Sequence, residues 1–223
     1  MAGTIAPRRS ERSSVSGRAK RLTRRRNVGR GERREAIHSA ALDEFSARCF
    51  AAARLDDVAT RAGVAKGTIY LYFPDKESLF QELIRAMLSP LVTSIVTAPM
   101  QEVPIRMVAE AVVGMFVNQI YRTRRKDVIR LIIAEGPRFP SLAEFYHREV
   151  IARVVPAVRS LFARAVKRGE LSDDALARFP QLLIAPGLLA IVWNSMFERF
   201  APLDVEEMMR VHLDVLFGKR GSP

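Results

Sequence analysis

The sequence predicts an all-α protein, with a small three-helix head, a larger helical body behind it and a basic arm in front. Three observations predict this. From Glu32 onward, apolar residues recur at three- and four-residue spacing. No stretch of useful length alternates as a strand would, and there is no internal repeat. Gly and Pro fall between the helical patterns, where they act as stops. Apolar residues make up 48% of the 223 positions, enough for a substantial core. The division reads as arm 1–30, head 31–91 with its central motif at 54–73, and body 92–223.

The arm holds ten basic side chains and one acid, so +9 of the formal +12 sits there, with Arg24, Arg25 and Arg26 in one cluster. It has few large apolar residues and reads as disordered without a partner. Its charge fits an arm seeking a polyanion, and equally a solvated tail. It has no apolar segment of the kind a secretory signal needs, although its Arg- and Ser-rich composition is shared with transit peptides.

The first head helix places Ile37, Ala41 and Phe45 on one stripe. A second is expected from Leu55 to Ala62, with Asp56 and Asp57 in its favourable first turn. Gly63 then supplies the positive φ of a helix end. A third covers Lys66 to Phe73, Pro74 stops it, and Asp75 can cap a fourth. That fourth helix sets Leu79, Leu83 and Met87 beside Phe80, Ile84, Leu88 and Leu91, and Pro90 is expected to kink or end it. In the body, helices are expected near 104–121, 125–135, 142–167, 173–199 and 204–217. Ser141-x-x-Glu144 and Asp204-x-x-Glu207 read as capping boxes. Gly136–Pro137 and Phe139–Pro140 mark a turn, and bends are expected at Pro156, Pro180 and Pro186.

Several function classes lack their chemistry. The single cysteine, Cys49, excludes an internal disulfide framework and a Cys-based zinc cluster. As a buried thiol it would suit a reducing cytoplasm. The longest apolar run, Leu182 to Trp193, is too short to cross a bilayer, so no membrane partner is expected. His38, His147 and His212 have no metal-ligand spacing. There is no glycine-rich phosphate loop and no nucleophile elbow, and nothing in the sequence positions Glu135 against Glu149 as a carboxylate pair. No metal, cofactor or catalytic residue is therefore assigned, and the chain does not read as an enzyme. An RNA-binding role would use the arm equally well, but the basic tract has no interleaved aromatics.

Two short helices joined at Gly63-Val64 make a helix-turn-helix. Its second helix must be short, so that its N-terminal residues reach base edges in the major groove. Here that end is Lys66-Gly67-Thr68. Lys66 can meet a phosphate or a guanine edge, Gly67 permits close approach, and Thr68 offers a hydroxyl or methyl to a base. Tyr70 and Tyr72 carry hydroxyls for phosphate oxygens, and Lys76 adds a cation.

The run from Asp57 to Phe80 contains A-x-x-A-G-V-x-x-G-T-x-Y-x-x-F-x-x-K-E-x-L-F. It resembles the helix-turn-helix of the TetR family, and the likeness covers about residues 31–91. The stretch Leu131 to Phe145, with Ala134-Glu135-Gly136-Pro137-Arg138-Phe139-Pro140, also resembles an AefR-like body subtype. The resemblance implies a homodimer with two heads that bind operator DNA and an all-α body for dimerisation and small-molecule binding. Repression with release by the effector is expected rather than activation, because it needs only occupancy of a promoter and no surface to recruit polymerase. The expected location is cytoplasmic and nucleoid-associated. The resemblance also implies base approach by Gly67 and Thr68, and phosphate contacts by Tyr70, Tyr72 and Lys76.

Three positions depart from the family pattern. Cys49 stands where glycine usually ends helix one. Ala53-Arg54 replaces a Thr followed by Ser or Thr, and Ala65 replaces the common Ser. Each lost cap costs roughly 0.5–2 kcal/mol, and Arg54 can restore a phosphate contact as a cation. The head has eight basic and nine acidic residues. Since phosphate neutralisation supplies most non-specific affinity, residues 18–30 are expected to reach along the backbone or into the minor groove.

In the body, Met107, Met115, Phe116, Trp193, Met196 and Phe197 are candidates to line an effector pocket, although each taken alone would also suit ordinary core. Asn118, Gln119, Tyr121, Glu135 and His147 are candidate polar contacts. The apolar bias points to a hydrophobic or amphipathic effector. The last two helical segments are expected to pair with their mates in a dimer, through Leu203, Met208, Val211, Val215 and Leu216.

Overall fold

The computed structural model describes residues 12–98 and 102–219, with side chains from residue 31 onward. Among the described residues there is no strand, and eleven α-helices follow one another. The head comprises α1 (Arg12–Ala52), α2 (Leu55–Arg61), α3 (Lys66–Tyr72) and the start of α4 (Lys76–Thr97). The body comprises α5 (Ile105–Met115), α6 (Arg125–Glu135), α7 (Pro140–Tyr146), α8 (Ala152–Lys167), α9 (Ala175–Arg178), α10 (Ala185–Phe197) and α11 (Val205–Phe217).

Two of the longer body helices are not uniform. A π-helical turn at Phe116–Tyr121 extends α5, and a second at His147–Ile151 joins α7 to α8. The expected helix at 173–199 is instead three pieces, because Pro180 opens a short 3₁₀ turn (Pro180–Leu183) and Pro186 sits in the first turn of α10. Proline tolerates a first turn and breaks an interior one.

Other expectations meet corrections. Helix α1 begins at Arg12, so the backbone of residues 12–30 is helical where the sequence suggested disorder. That segment holds seven arginines among its nineteen residues, and arginine is a good helix former. The side chains of Arg24, Arg25 and Arg26 lie outside the described residues. Pro90 does not end α4, which runs on to Thr97 with Leu88 and Val92 buried on either side of the proline. Ser141 caps nothing. Phe139 takes the N-cap position with no side-chain bond, and Pro140 fills the first helical turn. Asp204 does cap α11, accepting from the Glu207 amide at 3.0 Å. Glu207 itself turns to Arg210 instead of closing the box. Cys49 is exposed rather than buried.

Helix α1 changes direction at Cys49, whose φ of 62° and ψ of 160° lie in a region L-residues rarely enter. It is the one non-glycine with positive φ among the described residues. Three bonds fix the kink. The Phe50 amide donates to the buried Glu135 carboxylate at 3.3 Å. The Lys76 ammonium donates to the carbonyls of Phe50 at 2.8 Å and Ala51 at 2.6 Å. The Phe50 ring meets Phe45 and Phe80 in the head, and Phe139 of the body at 4.9 Å.

Head and body share one wall. Val128 and Leu131 of α6, with Leu142 and Phe145 of α7, are buried in the same core as Ile37, Phe45, Val58, Ile69 and Phe80. Ile129, one position along α6, belongs instead to the body core with Val112, Phe116, Phe162, Ile191 and Met209. Polar bonds reinforce the joint. Arg124 reaches Ser39 at 3.0 Å and Asp43 at 2.5 Å, and Arg125 donates to the Met87 carbonyl at 2.7 Å. By length and composition α4 could cross a bilayer. Its Leu79, Phe80, Leu83, Ile84, Leu88 and Val92 are instead buried in the protein.

Candidate nucleic-acid interface and effector cavity

Helices α2 and α3 form a compact helix-turn-helix. Gly63, at φ 66°, makes the turn between them, and the Val64 amide closes it by donating to the Ala59 carbonyl at 3.0 Å. Neither helix has a side-chain cap, since Arg54 and Ala65 hold the N-cap positions without one. Burial of Val58, Ala59 and Ile69 supplies what the missing caps do not. Glu44 of α1, itself buried, ties α2 in place by accepting from Arg48 at 3.0 Å and Arg61 at 3.3 Å. In contrast, Asp75 and Ser78 form a full capping box that sets the angle of α4.

The outer face of α3 presents Lys66, Gly67 and Tyr70, all exposed, with Thr68 and Tyr72 half-buried. A Cβ at Gly67 would meet nothing within 4 Å, so glycine keeps this surface low rather than relieving a clash. Arg54 is exposed at the start of α2. Leu71, which sequence reasoning passed over, is 85% exposed beside Tyr70. Its signal was its place in the helix, two positions from buried Ile69 and so on the opposite side. A leucine so placed can meet a thymine methyl.

Asp56 of α2 stands against this face. It accepts from the Lys66 ammonium at 2.9 Å and from the Tyr70 hydroxyl at 3.5 Å. The bond from Lys66 holds the Asp56 carboxyl below the usual carboxylate range, with the charges of Lys66 and Arg54 adding to it. Lys66 is therefore paired within the protein rather than standing free on this face. Lys76 departs from its expected role. Its ammonium donates to three carbonyls at the end of α1, of Phe50, Ala51 and Ala53. A cation at a helix C-terminus satisfies orphan carbonyls there, and this one is committed to the fold.

Behind the head, α4, α6, α8, α10 and both π turns enclose a cavity of about 290 Å³. Its wall is mostly aliphatic, with Leu88, Val92, Ile129, Ile132, Val154 and Leu188 among its residues, and among the described residues its polar side chains are Tyr146 and Gln181. The π turns contribute Phe116 and Ile120 on one side, and Val150 and Ile151 on the other. Such wide turns recur at functional sites. Gly187 makes room for the wall, since a Cβ there would lie 2.4 Å from the Phe116 ring.

Of the residues expected to form this pocket, Met115 and Phe116 line it. Met107, Met196 and Phe197 are exposed. Trp193 packs against the Phe197 ring, tilted at 60° with centroids 4.9 Å apart, and donates its indole N–H to the Ala201 carbonyl. Asn118 donates to the Gly114 carbonyl, and His147 is exposed. Tyr121 accepts from Asn194 at 2.5 Å, and Asn194 also clamps the backbone of Leu203. Glu135 serves the α1 kink. Asn118, Tyr121, Trp193 and Glu135 are thus spent on the fold, which no residue type reveals in advance.

The end of the body carries an uncovered apolar face. Leu189, Met196 and Phe197 on α10, Phe200 just after it, and Val211 and Val215 on α11 are exposed. Leu203, Met208 and Leu216 are partly buried against the body core instead.

The family model described as bacterial regulatory proteins, tetR family, matches residues 37–83, and one described as tetracyclin repressor-like, C-terminal domain, matches residues 106–212. The HTH-type transcriptional regulator RutR of Escherichia coli K12 is 40% identical over 70 residues, covering 31% of this chain and 33% of that protein. The chain thus matches about a third of the length of the first curated relatives. The HTH-type transcriptional repressor SCO4008 of Streptomyces coelicolor is 29% identical over 152 residues, covering 66% of this chain and 70% of that protein. Two solved structures share the fold. The fatty acid degradation regulator FadR of Bacillus halodurans has a TM-score of 0.65 at 20% identity, covering 85% of this chain and 97% of that one. A SmeT–triclosan complex has a TM-score of 0.68 at 18% identity, covering 85% and 93%.

Proposed function

We propose, from the premise that the chain belongs to the TetR family of bacterial regulatory proteins, that it is a dimeric cytoplasmic repressor which leaves its operator when a small hydrophobic molecule fills the body cavity. The regulators it resembles are not enzymes, and regulation here needs only occupancy of DNA.

The observation that carries the reading is the shared wall. Ile129, Ile132 and Ile133 of α6 line the cavity, while Val128 and Leu131 of the same helix are buried in the head core. A ligand that repositions α6 or α4 therefore shifts α3 relative to the body. In a dimer, the two α3 helices must enter successive major grooves about 34 Å apart. A ligand that favours another spacing releases DNA through its differential affinity for the two states. The exposed face of α10 and α11 is the natural seat of the second copy, with Val211, Val215, Met196 and Phe197 at its centre. In the head, Gly67, Thr68 and Leu71 are assigned to bases, and Arg54, Lys66, Tyr70 and Tyr72 to phosphates or base edges. The arm adds phosphate contacts. Leu131–Phe145 is assigned to the AefR-like subtype by its sequence likeness.

Selection of bound duplexes from a random pool at moderate salt tests the reading. Recovery of a palindrome with half-sites one helical turn apart is the expected result. Salt-sensitive binding without sequence preference contradicts it.

A further inference from the structure

We infer that the cavity admits only uncharged, compact ring compounds, with the half-buried Tyr146 hydroxyl as their polar anchor. The inference rests on the reading of the cavity as the effector site, and it specifies the chemical class.

Among the described residues, the wall contains no Lys, Arg, His, Asp or Glu. Ionic groups adjoining it in sequence point elsewhere. Glu149, next to Val150, pairs with Arg85 at 3.8 Å and Arg148 at 3.5 Å. Arg130, next to Ile129, lies 3.9 Å from Asp127. Arg125 donates to the carbonyls of Met87 and Gln119. Arg153, next to Val154, Arg159, next to Val158, and His147, next to Tyr146, are all exposed. An ion inside would meet no countercharge, and burying an unpaired charge is strongly unfavourable.

Size narrows the class further. A volume of about 290 Å³ lies at the lower bound of ligand pockets, which suits two or three rings rather than a nucleotide or a sugar chain. Two side chains supply polarity. Gln181 is exposed, at the mouth. Tyr146 is half-buried and its hydroxyl makes no hydrogen bond to another described residue. Its phenol, whose pKa burial raises further above neutral, is protonated, so it can donate to a ligand oxygen or accept from a ligand N–H.

Two fluorescent probes of one skeleton test this on the full chain. N-phenylnaphthylamine is neutral. Anilinonaphthalene sulfonate adds a sulfonate beside the amine, in the middle of the molecule, so it cannot stay in water while both ring systems are buried. The neutral probe is expected to bind saturably at one site per chain. The sulfonate is expected to displace it about 100-fold less effectively or worse. Val154→Trp, and separately Ile151→Trp, fill the cavity and should abolish neutral-probe binding in whichever variant keeps the native circular dichroism and DNA affinity. Tyr146→Phe should weaken the probe several-fold.

Displacement by the sulfonate at comparable concentration overturns the inference, as does a failure of the neutral probe to bind. Binding of the neutral probe without release of DNA would leave the ligand class standing and overturn the effector role instead.

Discussion

Replacing Cys49 by glycine should stabilise the protein. Position 49 is held at φ 62° and ψ 160°, where a Cβ clashes with the backbone and only glycine sits without strain. Helix α1 cannot relax this locally. The residues that follow are tied to Glu135 at 3.3 Å and to Lys76 at 2.6 and 2.8 Å. Strain in such a region is about 1–3 kcal/mol. Glycine returns about 0.4–1 kcal/mol of it through the greater freedom of the unfolded chain. Little packing is lost, because the thiol is exposed. The balance is a gain of roughly 0.5–2 kcal/mol, or about 1–8 °C in Tm for a chain of this length. Calorimetry and urea unfolding under reducing conditions measure it. Cys49→Ala is the control, since it keeps the Cβ and should leave stability nearly unchanged. A glycine variant no more stable than the parent, or an alanine variant matching it, would refute the strain argument.

Three further predictions follow from the site and its surroundings. Asp56→Asn releases Lys66 from its internal partner, so non-specific DNA affinity should rise and the slope of log K against log salt should steepen by about one; an unchanged slope would mean that Lys66 does not reach a phosphate. Gly187→Ala drives a Cβ into the Phe116 ring, which should push that ring into the cavity and weaken neutral-probe binding at least about tenfold, with duplex affinity kept as the control. His38 titrates below its ordinary 6.5 because burial disfavours its charged form, with Arg34 adding to this and Glu82 and Glu35 opposing it. The unfolded chain therefore takes up the proton first, so the stability is whole above about pH 6.5 and is lost as pH falls through the lower folded value. Tm should drop more between about pH 7.5 and 5.5 for the parent than for His38→Gln, and parallel curves would contradict this.

Local chemistry made the head legible. Gly63 and Asp75 act on their own neighbours, so the turn, the cap and the bounds of α2 and α3 could be read from adjacent residues. Lys76 could not be read that way, because its three acceptors lie 23 to 26 residues earlier and exist only once α1 has kinked. Ser141 looked like a cap, but Pro140 beside it had already opened the helix. In the body, large and polar residues drew attention because they are chemically distinctive. The cavity wall is instead mostly plain Ile, Val and Leu. Such residues look the same in sequence whether they face a neighbour or an empty space. Trp193, Tyr121 and Glu135 each satisfied a distant backbone or side-chain partner instead. Met196 and Phe197 turned outward, to the face where a second copy is expected.

The central claim, that α3 reads sequence within a dimer, is tested most directly by selecting duplexes with the parent chain and with Thr68→Ala side by side. The account predicts a palindrome for the parent and, for the variant, the same palindrome relaxed at one symmetric pair of positions, at a cost of about 1–3 kcal/mol for that contact. An identical motif from both chains, or no motif from the parent, would contradict it.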